Sequence, residues 1–190
     1  MISTGVLTDA RIDRYSRQII LPEVGGRGQQ RLLASRVVVG PATLPELSPD
    51  CRLTRHAEGA PPPDAAVIVD LTGRPASAVT LGRHAGATGR PFVVGVWRGA
   101  RGVVASAVRR PCGACCPAAT LATGDAAPAT PALAASLALA VGALAAAETL
   151  GLLLGAPNAG RARHLDVATG ACVALPVPQG AGCELCGGTA

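Results

Sequence analysis

Short apolar blocks separated by polar or proline-rich stretches dominate the chain, and their lengths predict its elements. Residues 9–35 read as two short helices. The first carries Arg11, Arg14 and Arg17 at three-residue spacing, which projects all three from nearby faces. The second, 29–34, is entered through the Gly25-Gly26 turn. Val37-Val38-Val39-Gly40 is short, continuous and β-branched, the mark of a buried strand. Over 41–64 the periodicity disappears; that stretch holds six prolines, with room for a short strand at 51–56 and none for an amphipathic helix of ordinary length. A second buried strand follows at 65–70, then a helix at 76–87, a strand at 92–96 and another at 102–108. Strand, helix, strand is the grammar of a parallel sheet. A long alanine-rich helix over 131–154 stops at Gly155, and 163–177 reads as a hairpin around Thr169-Gly170. The predicted fold is α/β: a truncated, Rossmann-like, mostly parallel sheet with flanking helices and a C-terminal hairpin. One domain over 1–190 accommodates it, as a helical arm (1–35), a reduced sheet (36–110) and a C-terminal part (111–190).

Composition narrows the chemistry. Hydrophobic residues make up 49% of the 190 and charged ones 15%, which favours a packed core over disorder. All seventeen basic residues are arginine, so Schiff-base chemistry and a phosphate-clamping lysine are excluded. The net charge is +5, but the arginines are scattered, with Arg109-Arg110 the only adjacent pair. Without a basic stripe or stacking aromatics, no nucleic-acid partner is expected. The N-terminal ten residues have neither a basic nor an apolar segment of a secretory leader, which predicts a cytoplasmic chain. The run 132–147 lacks charge but is short and mostly alanine, so it is expected to be a buried helix rather than a membrane span.

The seven cysteines include two C-x-x-C pairs, Cys112/Cys115 and Cys183/Cys186. Two intervening residues let both thiolates of a turn reach one tetrahedral ion, and two such knuckles complete the shell of a structural zinc with no position left for a catalytic water. Their wide separation makes the ion a clasp between a strand end and the tail. A redox pair or free thiols are the competing reading, Cys116 is an alternative to Cys115 as ligand, and Cys51 and Cys172 are expected to be buried.

The stretch "RYSRQIILPEVGGRGQQRLLASRVVVG" resembles the N-terminal signature of the ThiF/MoeB/HesA family, relatives of ubiquitin-activating enzymes that adenylate the C-terminus of small sulfur-carrier proteins. The resemblance continues through "VIVDLTGR", "PCGACC", "AAAETLGLLLG", "HLDVATGACVALPV" and "CELC". It implies a dimeric Rossmann-like protein, a structural zinc on Cys112, Cys115, Cys183 and Cys186, and Mg-ATP bound after the first strand. It also implies that an arginine at the position of Arg17 reaches across the dimer to the partner's ATP.

The departures from that pattern are specific. Where the family has G-x-G-G-x-G, this chain has Gly40-Pro41-Ala42-Thr43-Leu44-Pro45, and a proline offers no N–H to a phosphate. Only 24 residues separate Gly40 from Ala65, so the family's next helix, its following strand with a ribose-binding acid, and its basic segment are expected to be missing. The D-x-T-D-N motif appears as Asp70-Leu71-Thr72-Gly73-Arg74, without the second, metal-holding carboxylate. The expectation is a non-catalytic subunit that pairs with an intact adenylating relative, or with itself, and offers Arg17 in trans, with no nucleotide bound in cis. On the competing view Arg14 and Arg17 make only local ion pairs. An autonomous adenylyltransferase with a rebuilt site, and a zinc-clasped docking module for a carrier protein or peptide, are the alternatives.

Overall fold

The computed structural model describes residues 6–39, 52–55, 60–117, 128–156, 159–180 and 183–187. Two helices, α1 (Asp9–Ile19) and α2 (Gly25–Ala34), precede strands β1 (Arg36–Val39), β2 (Arg52–Arg55) and β3 (Val67–Asp70). Helix α3 (Pro75–Thr88) leads to β4 (Phe92–Arg98) and β5 (Arg101–Ala107), and helix α4 (Pro131–Leu154) to the hairpin β6 (Arg161–Asp166) and β7 (Ala171–Pro176). Local chemistry marks the helix ends. Both α3 and α4 begin with proline in the first turn and end at a left-handed glycine, Gly89 or Gly155. The Thr130 hydroxyl accepts the Leu133 N–H at the start of α4. Helix α2 starts at Gly25, so the predicted entry turn is itself its first helical turn.

Seven strands form one sheet in the order β2-β1-β3-β4-β5-β6-β7. Pairing is parallel from β2 through β4 and antiparallel from β4 through β7, so the α/β prediction stands with the parallel ladder confined to half the sheet. One expectation is corrected. The strand after β1 is not excised, because Arg36–Val39 pairs in parallel with Arg52–Arg55. The twelve residues between them satisfy the length a parallel crossover needs, about a dozen.

The two sheet faces carry separate cores. Against one lies α3 with the cysteine knuckle, over Ile68, Phe92, Val94, Val103 and Ala105. Against the other lies α4, whose Leu137, Val141 and Ala145 meet Val67, Val69, Val93 and Val104. The helix sits close because two strand positions beneath it are glycine. A Cβ on Gly95 would come within 2.9 Å of Val141 Cγ1, and one on Gly102 within 2.7 Å of Val141 Cγ2. The buried-helix prediction for α4 is corrected to a helix with one covered face, since Leu139 is 77% exposed. By length and composition alone α4 is long and apolar enough to cross a membrane.

Candidate metal centre and strand-end turn

Strand β5 delivers the chain to a buried turn in which the Cys115 N–H donates to the Cys112 carbonyl at 2.9 Å. That turn fits under α3 because both surfaces are stripped to backbone. A Cβ on Gly82 would stand 2.5 Å from the Gly113 carbonyl oxygen, and one on Gly113 would stand 2.6 Å from that of Gly82. The tail makes a second turn with the Cys183 N–H donating to the Gly180 carbonyl at 3.0 Å. Residues 71 positions apart thereby meet: Cys112 and Cys183 Sγ are 3.7 Å apart, Cys115 and Cys186 Sγ 3.7 Å, and Cys112 and Cys115 Sγ 3.9 Å. All four sulfurs lie within 4.8 Å of one another.

This arrangement is the one a metal requires. Four sulfurs at about 2.3 Å from a central ion form a tetrahedron with edges of about 3.8 Å, close to the separations observed. A soft all-sulfur donor set of that shape selects zinc over magnesium or calcium. The thiols are also unequally prepared to ionise. Burial pushes Cys112 up to about 12, whereas the backbone N–H groups of Leu185 and Cys186 bring Cys183 down to about 7. Burial likewise raises Cys186. The Gly180 N–H points at Cys115 Sγ from 3.4 Å, a neighbour that spacing alone does not reveal. Cys116 does not substitute for Cys115: it is fully buried in the core, and its thiol is raised by that burial. Cys172 corrects an expectation, for it is exposed on the outermost described strand. Cys51 lies outside the described residues.

At the C-terminal end of β3 the D-x-T-D-N position is a compact turn. Asp70 is buried, its Oδ1 accepts the Thr72 N–H at 2.9 Å, and the Thr72 hydroxyl accepts the Arg74 N–H at 3.1 Å. Gly73, where the family has its second carboxylate, has φ +67°, the left-handed conformation glycine adopts without penalty. Asp70 Oδ1 and the Thr72 hydroxyl build the entry to α3, while Asp70 Oδ2 is buried with no hydrogen-bond partner among the described residues. The predicted phosphate-loop replacement at 40–45 lies outside the described residues.

Arg17 stands in the last turn of α1, and both it and Arg14 are exposed. Neither makes a hydrogen bond or ion pair with any described residue. Sequence reasoning overlooked a buried polar group, Glu148 on α4. Its Oε2 accepts the Ser106 hydroxyl at 2.9 Å and its Oε1 pairs with Arg163 of β6. A cavity of about 290 Å³ opens beside that pair, walled by Leu144, Gly151, Leu152 and Ala156.

No family model matches the chain. The SAMP-activating enzyme E1 of Haloferax volcanii is 64% identical over 33 residues, which is 17% of this chain and 12% of that enzyme. Several solved structures share the fold over most of this chain. For E. coli MccB with ATP the TM-score is 0.62 at 12% identity, covering 98% of this chain and 76% of that one. For PaaA it is 0.57 at 12% identity, with 91% and 85% covered. For the heterocyclase TruD it is 0.56 at 14% identity, with 94% of this chain but 34% of that one. At these identities the likeness is one of fold. At that coarse level, and in the 33-residue segment, the resemblance to E1-like proteins of the ThiF/MoeB type holds.

Proposed function

We propose that this chain is a non-catalytic, cytoplasmic subunit of the E1-like type, which dimerises with an intact adenylating relative and presents Arg17 to that relative's ATP. The partner would bind Mg-ATP and activate the C-terminus of a small ubiquitin-like carrier. This chain would supply dimer surface, a zinc-clasped scaffold on Cys112, Cys115, Cys183 and Cys186, and one guanidinium. The observation that carries the reading is the strand-end turn: Asp70 Oδ1 accepts the Thr72 N–H, and Gly73 stands where a metal-binding carboxylate would be needed. The exposed guanidinium of Arg17 supports the remaining half, because an arginine delivered in trans can stabilise charge developing on phosphates.

Calorimetry of the isolated, zinc-loaded chain with Mg-ATP tests the first half. No binding is expected, and micromolar affinity would overturn the reading in favour of an autonomous adenylyltransferase. Pyrophosphate exchange by the reconstituted pair tests the second. Arg17→Ala should raise the partner's barrier by roughly 2–4 kcal/mol, the scale of a lost preorganised donor. An unchanged rate would remove Arg17 from the mechanism.

A further inference from the structure

Strand β7 ends the sheet, and all six of its residues, Ala171-Cys172-Val173-Ala174-Leu175-Pro176, are exposed. The strand carries no charge, and Val173 and Leu175 are 50% and 48% exposed. Exposed edges are normally blunted by charged side chains, bulges or central prolines, and here the one proline stands at the strand's end.

The register shows which backbone groups are spare. Ala171, Val173 and Leu175 lie opposite Asp166, His164 and Ala162 of β6, and the next residue in that alternation, Val177, donates its N–H to the Gly160 carbonyl at 2.8 Å. In an antiparallel ladder every second residue turns its N–H and C=O to the neighbour and the residues between turn theirs away. Cys172 and Ala174 therefore direct both groups outward, and Pro176 adds only a carbonyl. Among the described residues nothing hydrogen-bonds to them.

We propose that β7 pairs antiparallel with β7 of a second copy, about a two-fold axis normal to the sheet at Val173. The strand is its own complement in this register. Cys172 lies opposite the second copy's Ala174, and the reciprocal pair completes four backbone hydrogen bonds. Val173 falls opposite Val173 in the closer, non-hydrogen-bonded position that suits β-branched pairs, and Leu175 falls opposite Ala171, large against small. No like charges meet. The two-fold consumes the β7 edge of each copy, so this pairing closes at a dimer instead of propagating. The inference uses neither α1 nor Arg17 and is independent of the function proposed above.

Sedimentation equilibrium of the full, zinc-loaded chain should show a reversible dimer. Ala174→Pro deletes an outward donor while leaving the bonds to β6 intact, and should weaken dimerisation roughly tenfold or more through the two hydrogen bonds lost per dimer. Val173→Cys in a Cys172→Ser background should give a disulfide-linked dimer under mild oxidation, because the two new thiols face each other. The native Cys172, opposite Ala174, should not cross-link. A monomer at all accessible concentrations overturns the proposal, as does a dimer that survives Ala174→Pro without loss. So does a Val173→Cys chain, confirmed folded by circular dichroism and zinc content, that fails to link. A monomer whose β7 takes up an unrelated extended peptide would equally replace the second copy as occupant.

Discussion

Glu148 brings a carboxylate into the interior of a helix made mostly of alanine and leucine, and both of its oxygens are engaged, by Ser106 and by Arg163. A buried pair of this kind adds little net stability over a hydrophobic one, yet breaking it from one side strands a charge. Arg163→Met should therefore cost about 3–5 kcal/mol in a urea titration. The double replacement Arg163→Met with Glu148→Leu should recover most of that loss. A single variant as stable as the parent would show that the pair contributes nothing. In the sequence Glu148 is visible only as the residue that interrupts an apolar run. Its partner lies on a strand fifteen residues later, and nothing local indicates that the sheet will place Arg163 beneath the helix. The cysteines were legible for the opposite reason: C-x-x-C spacing records the geometry of a turn, and only the meeting of the two pairs required the fold.

At the scale of elements, the close seat of α4 rests on absent side chains. Gly102→Ala would set a methyl against Val141 and Leu137 at 2.7 and 3.0 Å, an overpacking expected to cost about 1–3 kcal/mol, seen as a lower denaturation midpoint with an unchanged slope. The β6–β7 hairpin depends on Asp166, which pairs with Arg101 at 3.2 Å and accepts the N–H groups of Ala168 and Thr169. The hydrogen bond from Arg101 holds its carboxyl below the usual 3.8. A depressed carboxylate stabilises the folded form above 3.8 and loses that contribution as pH falls through its lower folded value. Amide shifts of 167–171 should accordingly lose their hairpin signature in acid, and Asp166→Asn should flatten that dependence. Strands and helices were readable from apolar blocks and from their proline and glycine boundaries. A short strand at 51–56 was readable too, but its pairing beside β1 and the switch from parallel to antiparallel at β4 were not, because pairing partners are chosen by tertiary packing.

For the whole molecule, the four sulfurs join the end of β5 to the tail, closing a loop of 71 residues. Stripping zinc with a strong chelator should lower the melting temperature and loosen 112–116 and 183–187 before the sheet, readable by hydrogen exchange; unchanged protection there would refute a structural metal. The metal-free chain should show its own pH response. The lowered thiol of Cys183 contributes stability that is fully present above 9 and lost as pH falls through about 7. The raised thiol of Cys112 contributes stability that is present below 9 and lost as pH rises through about 12. Melting temperature without metal should therefore peak near pH 9, and a curve flat from 7 to 11 would contradict the two shifts.

The spacing of the two knuckles also orders events during synthesis. When Cys112 and Cys115 leave the ribosome they hold half a binding site, and the other half is still some seventy codons away. A four-sulfur shell can form only after Cys186 has emerged. A chain without Cys183 and Cys186 keeps only two of the four thiols, too few to close a tetrahedral sulfur shell.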